Sequence, residues 1–350
     1  MHEIGVLVAG FGGADSLTAV PQFMHNLTGR MPSEELVERV SARYEAIGGT
    51  SPIVKIARLF AKGLSDVIER GLKERIPVGV GMCYWDPFIE DSLAGLTSLG
   101  CKRVVVVHLS AFQTKVAAGA SQQAITSAAK KLGLQVVETP LLASYPAYQR
   151  FFAAATTEAL GTVRAAAAVG DGGRARARGG RCQVQGGEGQ RGPVLAFTAH
   201  SLPLCDLDDG DPYLAGLEQM AQAVAVSLGF GPGEQQVSGG LLGGFKAFGS
   251  GDQDPPWFLV FQSRGERPGK WLGPTLEELI DACAKSGVSS VVACPIGFVT
   301  DHMETLYDLD VDACGQAQRV GIRFSRTPVP NALPALIEEV GAGILALISK

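Results

Sequence analysis

The sequence predicts an α/β protein whose parallel sheets are covered by helices on both faces. Short runs rich in Val, Ile, Leu and Phe are apolar throughout, as strands buried on both faces are. Longer segments, with apolar residues every three or four positions, separate these runs and are typical of amphipathic helices. The two kinds of segment alternate along the chain, which favours parallel strands joined by helices.

The predicted strands are the apolar runs at 4–9, 78–82, 104–107, 194–197, 258–261 and 291–294. The predicted helices between them include 33–46, 89–99, 121–132 and 276–286. The clearest is the first, in which Leu36, Val40 and Tyr44 recur every four residues before Gly48-Gly49 ends the helix.

A weak internal repeat divides the sequence into two similar halves. Gly5-Val-Leu-Val-Ala is similar to Pro193-Val-Leu-Ala-Phe, and the runs starting at Val104 and Val291 follow them at nearly equal offsets. We therefore predict an N-terminal lobe at 1–163 and a C-terminal lobe at 193–350. The prediction allows the C-terminal end of the chain to return to the N-terminal lobe. Functional loops are expected at the carboxyl ends of the strands, where open α/β sheets bind ligands.

Glycine-rich composition marks the segments between the predicted elements. Residues 164–192 are rich in Ala, Gly and Arg, with almost no large apolar residue, and predict a low-complexity mobile insertion. An anion-binding patch formed by its arginines is the less favoured alternative. The second glycine-rich stretch, 238–251, predicts a surface loop.

Composition excludes several classes of function. Thirty basic against 35 acidic residues, in a chain of 350, leave a net charge of −5, which disfavours nucleic-acid binding. No apolar run reaches the length of a membrane span, and the N-terminus lacks the features of a secretory signal. Seven cysteines without paired CxxC spacing indicate reduced, inert thiols in a cytoplasmic protein. P-loop, dinucleotide, GxSxG and HExxH motifs are missing from the sequence, which disfavours phosphoryl transfer, hydride transfer and serine hydrolysis.

The first candidate for chemistry is His200, which ends a predicted strand just before Ser201 and Pro203. At a strand's carboxyl end its imidazole would point into a cleft, where it could accept a proton or hold a metal. A hydrogen-bonded structural histidine is the alternative, and the sequence position leaves the two about equally favoured.

The second candidate is an acidic stripe. Glu304, Asp308 and Asp312 recur every four residues, so one face of a helix beginning after Thr300 would carry all three carboxylates. Such a stripe is either well solvated or built to hold a cation. Carboxylate oxygens together with imidazole suit Fe²⁺, Zn²⁺ or Mn²⁺.

Two segments resemble the signature segments of the ferrochelatases: Phe197-Thr-Ala-His-Ser-Leu-Pro, and Pro295-Ile-Gly-Phe-Val-Thr-Asp-His-Met-Glu-Thr-Leu-Tyr-Asp. Segments starting at Arg43, Asp86 and Trp271 also match that family in order. The similarity spans nearly the whole chain except the insertion. It implies the chelatase fold, with two Rossmann-like lobes, a four-stranded parallel sheet in each, and a porphyrin cleft between them. It also implies insertion of Fe²⁺ into a porphyrin in heme biosynthesis.

The resemblance assigns roles to particular residues. It implies that His200 and Glu304 are catalytic and belong to the metal site, with Asp308 and Asp312 as further metal residues. It implies a porphyrin-binding set of four residues, which are Phe11, Arg43, Tyr44 and Ser51. Phe11 departs from the pattern, because coproporphyrin-type enzymes usually have a tyrosine there.

The expected substrate is coproporphyrin III, which would give coproheme. The Gly29-Arg30 and Arg43-Tyr44 pattern favours it, as does the lack of an extended apolar lip for membrane docking. A protoporphyrin IX ferrochelatase, a cobalt or nickel chelatase, and a non-catalytic porphyrin or heme carrier remain alternatives.

The expected cofactor content and partners follow from the same resemblance. No resident cofactor is expected, since Fe²⁺ is a substrate, and no [2Fe–2S] cluster, because no cysteine follows Cys314. The expected partners are the porphyrin, Fe²⁺ and transient heme-pathway proteins. We expect a cytoplasmic monomer without a membrane span or nucleic-acid partner.

Overall fold

A computed structural model of the chain describes residues 3–114, 118–169, 191–207, 211–230, 234–235, 247–248, 256–265 and 267–349. The chain forms two compact units. Unit 1 comprises Met1–Tyr148, Val299–Met303 and Pro330–Lys350, and unit 2 comprises Gln149–Phe298 and Glu304–Val329. Residues 149–163, placed in the predicted N-terminal lobe, belong to unit 2, whereas residues 330–350 return to unit 1, as the prediction allowed for the C-terminus.

Unit 1 is built on a parallel sheet of four strands in the order β2-β1-β3-β4. The strands are β1 (Ile4–Gly10), β2 (Val78–Met82), β3 (Arg103–His108) and β4 (Gln135–Glu138). Its helices are α1 (Val20–Thr28), α2 (Glu34–Ala46), α3 (Ile53–Leu72), α4 (Ile89–Ser98), α5 (Ala118–Leu132) and the C-terminal α11 (Pro334–Ile348). The core on one face joins the sheet to α4 and α5 through Leu7, Leu93, Val104, Val106 and Ile125.

The strands of unit 2 are β5 (Val194–His200), β6 (Glu234–Gln235), β7 (Ala247–Phe248), β8 (Trp257–Gln262), β9 (Ser290–Cys294) and β10 (Arg323–Arg326). They form one sheet in the order β10-β9-β5-β8-β7-β6, whose first four strands are parallel and whose last two are antiparallel. The helices are α6 (Pro146–Val169, which starts in unit 1), α7 (Pro212–Ser227), α8 (Leu276–Lys285), α9 (Met303–Leu306, which starts in unit 1) and α10 (Cys314–Arg319). A π-helical turn, Asp308–Ala313, lies between α9 and α10.

The predicted fold class is confirmed: both units are α/β, with four parallel strands in each sheet. All six apolar runs that predicted strands form strands, and their bounds agree within three residues. Three features differ. The edge strands β4 and β10 were not predicted, and the antiparallel pair β6 and β7 extends the second sheet to six strands.

The glycine-rich segments depart in part from expectation. Residues 164–169 of the predicted insertion belong to α6, because alanine is the strongest helix former. Arg191 pairs with Val288 in a parallel bridge, and residues 170–190 lie outside the described residues. Of the predicted loop 238–251, only β7 is described, and it is a strand.

The described cysteines are mostly thiols, as expected. Burial raises the pKa of Cys83, Cys283 and Cys294 to about 12, which suppresses their reactivity. Cys101 and Cys205 are also free. The expectation is wrong for Cys314, which is disulfide-bonded, because spacing along the chain does not report which sulfur atoms meet in space.

None of the described helices is long and apolar enough to cross a membrane.

Candidate active site

His200 is the last residue of β5, which lies between β9 and β8 in the interior of the sheet. All six residues that precede it in the strand are buried, whereas the His200 side chain is 29% exposed. The apolar strand therefore delivers one polar side chain to the carboxyl end of a parallel sheet. Such sheets bind ligands at this end.

Glu304 lies beside this imidazole. Its Oε2 atom is 3.0 Å from His200 Nδ1, and its side chain is 30% exposed. Glu304 is the second residue of the short helix α9, so a carboxylate lies in the first helical turn, near the positive end of the helix dipole. The two residues that the sequence put forward for catalysis thus form one partly exposed imidazole–carboxylate pair.

Tyr213 holds the backbone of His200 in place. Its hydroxyl donates a hydrogen bond of 2.9 Å to the backbone carbonyl of His200, and its side chain is buried. Burial raises the pKa of Tyr213, and the negative charge of Glu304 raises it further, so the phenol stays protonated. Asp211 caps helix α7 by accepting a hydrogen bond from the Tyr213 backbone N–H at 2.9 Å, and this fixes where the tyrosine enters.

Gln262 and Ser263 connect the pair to the rest of the site. Gln262 ends β8 in register with His200, and its Nε2 atom donates to the backbone carbonyl of Glu304 at 2.8 Å. The next residue, Ser263, donates through its hydroxyl to Asp308 Oδ2 at 2.5 Å.

The three carboxylates of the predicted acidic stripe have different environments. The helix that carries them starts at Met303, not after Thr300, and is not a continuous α-helix. In its π-helical turn the backbone N–H of Asp312 bonds to the carbonyl five residues earlier, at 3.0 Å. Asp308 is half-buried against Ser263, whereas Asp312 is exposed.

The predicted four-residue metal set is only partly assembled. His200 and Glu304 are in contact, but in the part of the chain that the structure describes, no three His, Cys, Asp or Glu side chains converge to hold a metal ion. Asp310, which the sequence prediction left out of the set, is engaged elsewhere. Its carboxylate binds the Arg326 guanidinium in a bidentate pair, with N···O distances of 2.6 and 2.9 Å.

The predicted porphyrin residues all lie in unit 1, on α2 and on the loops that follow β1 and α2. The Tyr44 hydroxyl accepts a hydrogen bond from the Ala14 backbone N–H at 3.1 Å, and the Ser51 N–H donates to the Ala14 carbonyl at 2.9 Å. Tyr44 and Ser51 are therefore buried supports of the loop that follows β1. Phe11, half-buried on this loop, packs edge-to-face on Tyr84 with ring centroids 4.7 Å apart. Arg43 is half-buried on α2.

Four residues of the site region were missed by the sequence prediction: Tyr213, Gln262, Ser263 and Arg326. Only Gln262 carried a sequence signal, because it directly follows a predicted strand and so lies at the sheet edge where His200 was expected. The others are distant in sequence from the residues they bind, and no local pattern reports such contacts.

The fold and this pair together define a class of protein. A partly exposed imidazole–carboxylate pair at the carboxyl end of a parallel sheet is suited to exchanging protons with a bound substrate or holding a metal. The arrangement is that of an α/β enzyme.

Comparison with known proteins identifies the family. A model of the ferrochelatase family matches residues 3–345. A ferrochelatase from Herpetosiphon aurantiacus is 28% identical over 340 residues, which cover 96% of each chain. A coproporphyrin III ferrochelatase from Halalkalibacterium halodurans is 29% identical, with 96% of this chain and 94% of that one covered. A coproporphyrin III ferrochelatase from Mycolicibacterium vanbaalenii is also 29% identical, covering 98% of this chain and 92% of its own.

Because the family model covers almost the whole chain, the protein belongs to the ferrochelatase family of metal-chelating enzymes.

Proposed function

We propose that this enzyme inserts Fe²⁺ into coproporphyrin III to form coproheme in heme biosynthesis, with His200 and Glu304 at the site of metal insertion and proton transfer. The observation that carries the proposal is the 3.0 Å contact between His200 Nδ1 and Glu304 Oε2 at the carboxyl end of β5. Relatives named coproporphyrin III ferrochelatases, similar over nearly their full length, support the choice of porphyrin.

The pair matches the proton chemistry of the reaction. Metal insertion requires loss of the two pyrrole protons of the porphyrin, and so requires an acceptor. With its proton on Nδ1, beside Glu304, His200 keeps its lone pair on Nε2, and the carboxylate stabilises the imidazolium that forms when Nε2 takes up a proton. A neutral imidazole can equally ligate the incoming Fe²⁺ through Nε2.

Asp308 and Asp312 are the proposed path for the metal. Hard carboxylate oxygens exchange readily with the water ligands of Fe²⁺, and Asp312 is exposed where a hydrated ion would arrive. Replacing Asp312 by Ala is expected to raise the Fe²⁺ concentration needed for half-maximal rate several-fold, with the rate at saturation little changed. Steady-state rates measured at several Fe²⁺ concentrations test this. An unchanged Fe²⁺ saturation curve would contradict the proposed role of Asp312.

Phe11, Arg43, Tyr44 and Ser51 are the proposed porphyrin-binding residues. The Phe11 ring offers an apolar contact, and the Arg43 guanidinium suits carboxylates, of which coproporphyrin III has more than protoporphyrin IX. Tyr44 and Ser51 act through the loop after β1, whose backbone they hold. The cleft between two lobes remains a prediction, as do the cytoplasmic location, the monomeric state, transient heme-pathway partners and the absence of a resident cofactor.

Anaerobic metalation tests the proposal. Coproporphyrin III and protoporphyrin IX are supplied in parallel with Fe²⁺, and formation of metalloporphyrin is followed by absorbance. Rapid conversion of coproporphyrin III alone is the expected result. Preferential metalation of protoporphyrin IX would instead make the enzyme a protoporphyrin IX ferrochelatase. A Soret shift on binding, without metalation of either porphyrin, would contradict the enzyme and favour a carrier.

A further inference from the structure

The dipeptide that follows the carboxyl end of β8 has no assigned role, yet it contacts three parts of the candidate active site. We infer that Gln262 and Ser263 are positioning residues, here called the Gln262–Ser263 bracket, which hold Glu304 and Asp308 at fixed distances from His200. The inference rests on the proposed function, because it assigns the means by which that site keeps its geometry.

Gln262 links the catalytic pair through hydrogen bonds to the backbone of Glu304 and to that of the residue after His200. Its carbonyl accepts from the N–H of Ser201, the residue after His200, at 2.8 Å, and its side-chain amide donates to the Glu304 carbonyl at 2.8 Å. With 2% of its surface exposed, Gln262 has little opportunity to touch a substrate. A buried amide forms bonds that do not exchange with water, so it sets a distance more strictly than an exposed one.

Ser263 connects the bracket to Asp308, and it does so in an unfavourable backbone conformation. Its φ of 61° lies in the left-handed region, which disfavours any residue with a Cβ, and glycine would adopt it more easily. Glycine, however, has no hydroxyl to donate to the Asp308 carboxylate, as Ser263 does. Strained backbone of this kind persists where the surrounding contacts fix it, and it concentrates at functional sites.

The two residues should therefore affect different kinetic constants. Loss of the Gln262 amide frees the backbone of Glu304 and loosens the pair, which lowers kcat without changing porphyrin affinity. Loss of the Ser263 hydroxyl frees Asp308, which raises the Fe²⁺ concentration needed for half-maximal rate without a comparable loss of kcat. A merely structural role would instead change both constants together with stability.

The test compares variants with matched controls. Gln262→Met keeps the side-chain length and removes the donor. Gln149→Met removes an amide-to-carbonyl bond, to Ala223 at 3.2 Å, together with a bond to the Ser227 hydroxyl at 3.0 Å, elsewhere in unit 2. Ser263→Gly and Ser263→Ala both remove the hydroxyl, but only the glycine variant also relieves the unfavourable φ.

For Gln262→Met we expect kcat to fall at least about fivefold, which corresponds to the free energy of one lost hydrogen bond. The porphyrin Kd of this variant should be unchanged. The control Gln149→Met should keep the wild-type rate. Both Ser263 variants are expected to need several-fold more Fe²⁺. Wild-type kinetics in Gln262→Met, or a defect in Ser263→Ala that Ser263→Gly abolishes, would overturn the bracket.

A spectroscopic readout makes the result independent of turnover. In protein labelled with ¹⁵N-histidine, the ring-nitrogen shifts of His200 report its position beside Glu304, and they should be kept in Gln149→Met and changed in Gln262→Met. Wild-type shifts in Gln262→Met would contradict the bracket, even if the wild-type enzyme proves inactive. An inactive wild type would itself contradict the proposed function, so the two failures are distinguishable.

Discussion

At the scale of single residues, Gly297 is a position where the lack of a side chain bears directly on the active site. A Cβ atom there would lie 2.6 Å from Ala199 Cβ and 2.8 Å from Ala199 Cα, next to His200. The Gly297 N–H also bonds to the Thr198 carbonyl at 3.1 Å. The loop after β9 can therefore lie on the end of β5 only because this residue is glycine.

Gly297→Ala should displace the end of β5 and with it His200. We expect a loss of about 1–3 kcal/mol in the free energy of unfolding from overpacking, together with a fall in kcat. Gly161→Ala is the matched control, because nothing lies within 4 Å of that position on α6 and the helix should gain about 0.5–1 kcal/mol. Denaturant unfolding and metalation rates measure both, and equal behaviour of the two variants would refute the packing argument.

His108 predicts a pH dependence of stability. It ends β3 with 2% exposure, its Nδ1 lies 2.8 Å from Ser121 Oγ, and its Nε2 lies 3.6 Å from Glu138 Oε2. Burial lowers the pKa of His108, and Glu138 opposes this only in part. The unfolded chain therefore takes up a proton at higher pH than the folded chain does. Stability contributed by the neutral histidine is lost as the pH falls through about 6.5.

We expect the free energy of unfolding to fall between about pH 7.5 and 5.5, and to fall less steeply in His108→Gln, which cannot titrate. Urea unfolding at several pH values makes the comparison. The variant should be less stable than the wild type at high pH, because it loses the packing of the buried imidazole. Parallel curves for the two proteins would show that His108 does not carry the effect.

Sequence patterns identified residues whose chemistry is concentrated in a short segment. His200 was recognisable as a polar residue at the end of an apolar run, and Glu304 as part of a recurring acidic series. Tyr213 and Ser263 were not, because their roles depend on contacts with residues 13 and 45 positions away. Tyr44 illustrates the reverse, since its periodic spacing gave α2 correctly but did not reveal that its hydroxyl holds Ala14.

At the scale of elements, the π-helical turn Asp308–Ala313 is fixed from both sides. Leu309 and Ala313 pack into the core of unit 2. On another side, Asp310 forms its bidentate pair with Arg326 of β10, whose side chain is 4% exposed against 18% for the aspartate. The pair sets the position of the segment that carries Asp308 and Asp312.

Arg326→Leu should cost about 3–5 kcal/mol in the free energy of unfolding, because the carboxylate of Asp310 loses its guanidinium while largely buried. Adding Asp310→Leu should recover part of this, since no buried charge then remains. Denaturant titrations of the two variants test the pair. A single variant as stable as the wild type, or a double variant no better than the single, would contradict it.

Edge strands show where pattern recognition reaches its limit. The interior strands β1, β3, β5 and β9 are buried on both faces and read as continuous apolar runs. The edge strand β4 has two exposed residues of four, and β10 alternates half-buried with buried residues. A short strand covered on one side only has no apolar run to reveal it.

At the scale of the whole molecule, the alternation of strands and helices gave the α/β class, but not the path of the chain between the units. The C-terminal helix α11 packs on α3 of unit 1 at close range. A Cβ on Gly341 would lie 2.4 Å from Val67, and one on Gly71 would lie 2.4 Å from Leu345. Such a contact, between segments far apart in sequence, is decided by fit and leaves no periodic signal. The repeat of similar strand runs therefore suggested two lobes with a C-terminus able to return to the first, but it did not show at which residues units 1 and 2 interleave along the chain.

The most direct test of the account is the metalation rate of coproporphyrin III with Fe²⁺ in the wild type, His200→Ala and Glu304→Gln, alongside the porphyrin Kd of each. The account predicts that His200→Ala lowers kcat by a factor of about 10² or more, the size of a general-base contribution, while porphyrin Kd stays near the wild-type value. Glu304→Gln should also lower kcat, since the amide cannot balance the charge of an imidazolium. Full metalation by His200→Ala, or a loss that appears only in porphyrin Kd, would contradict a proton-accepting role for the pair.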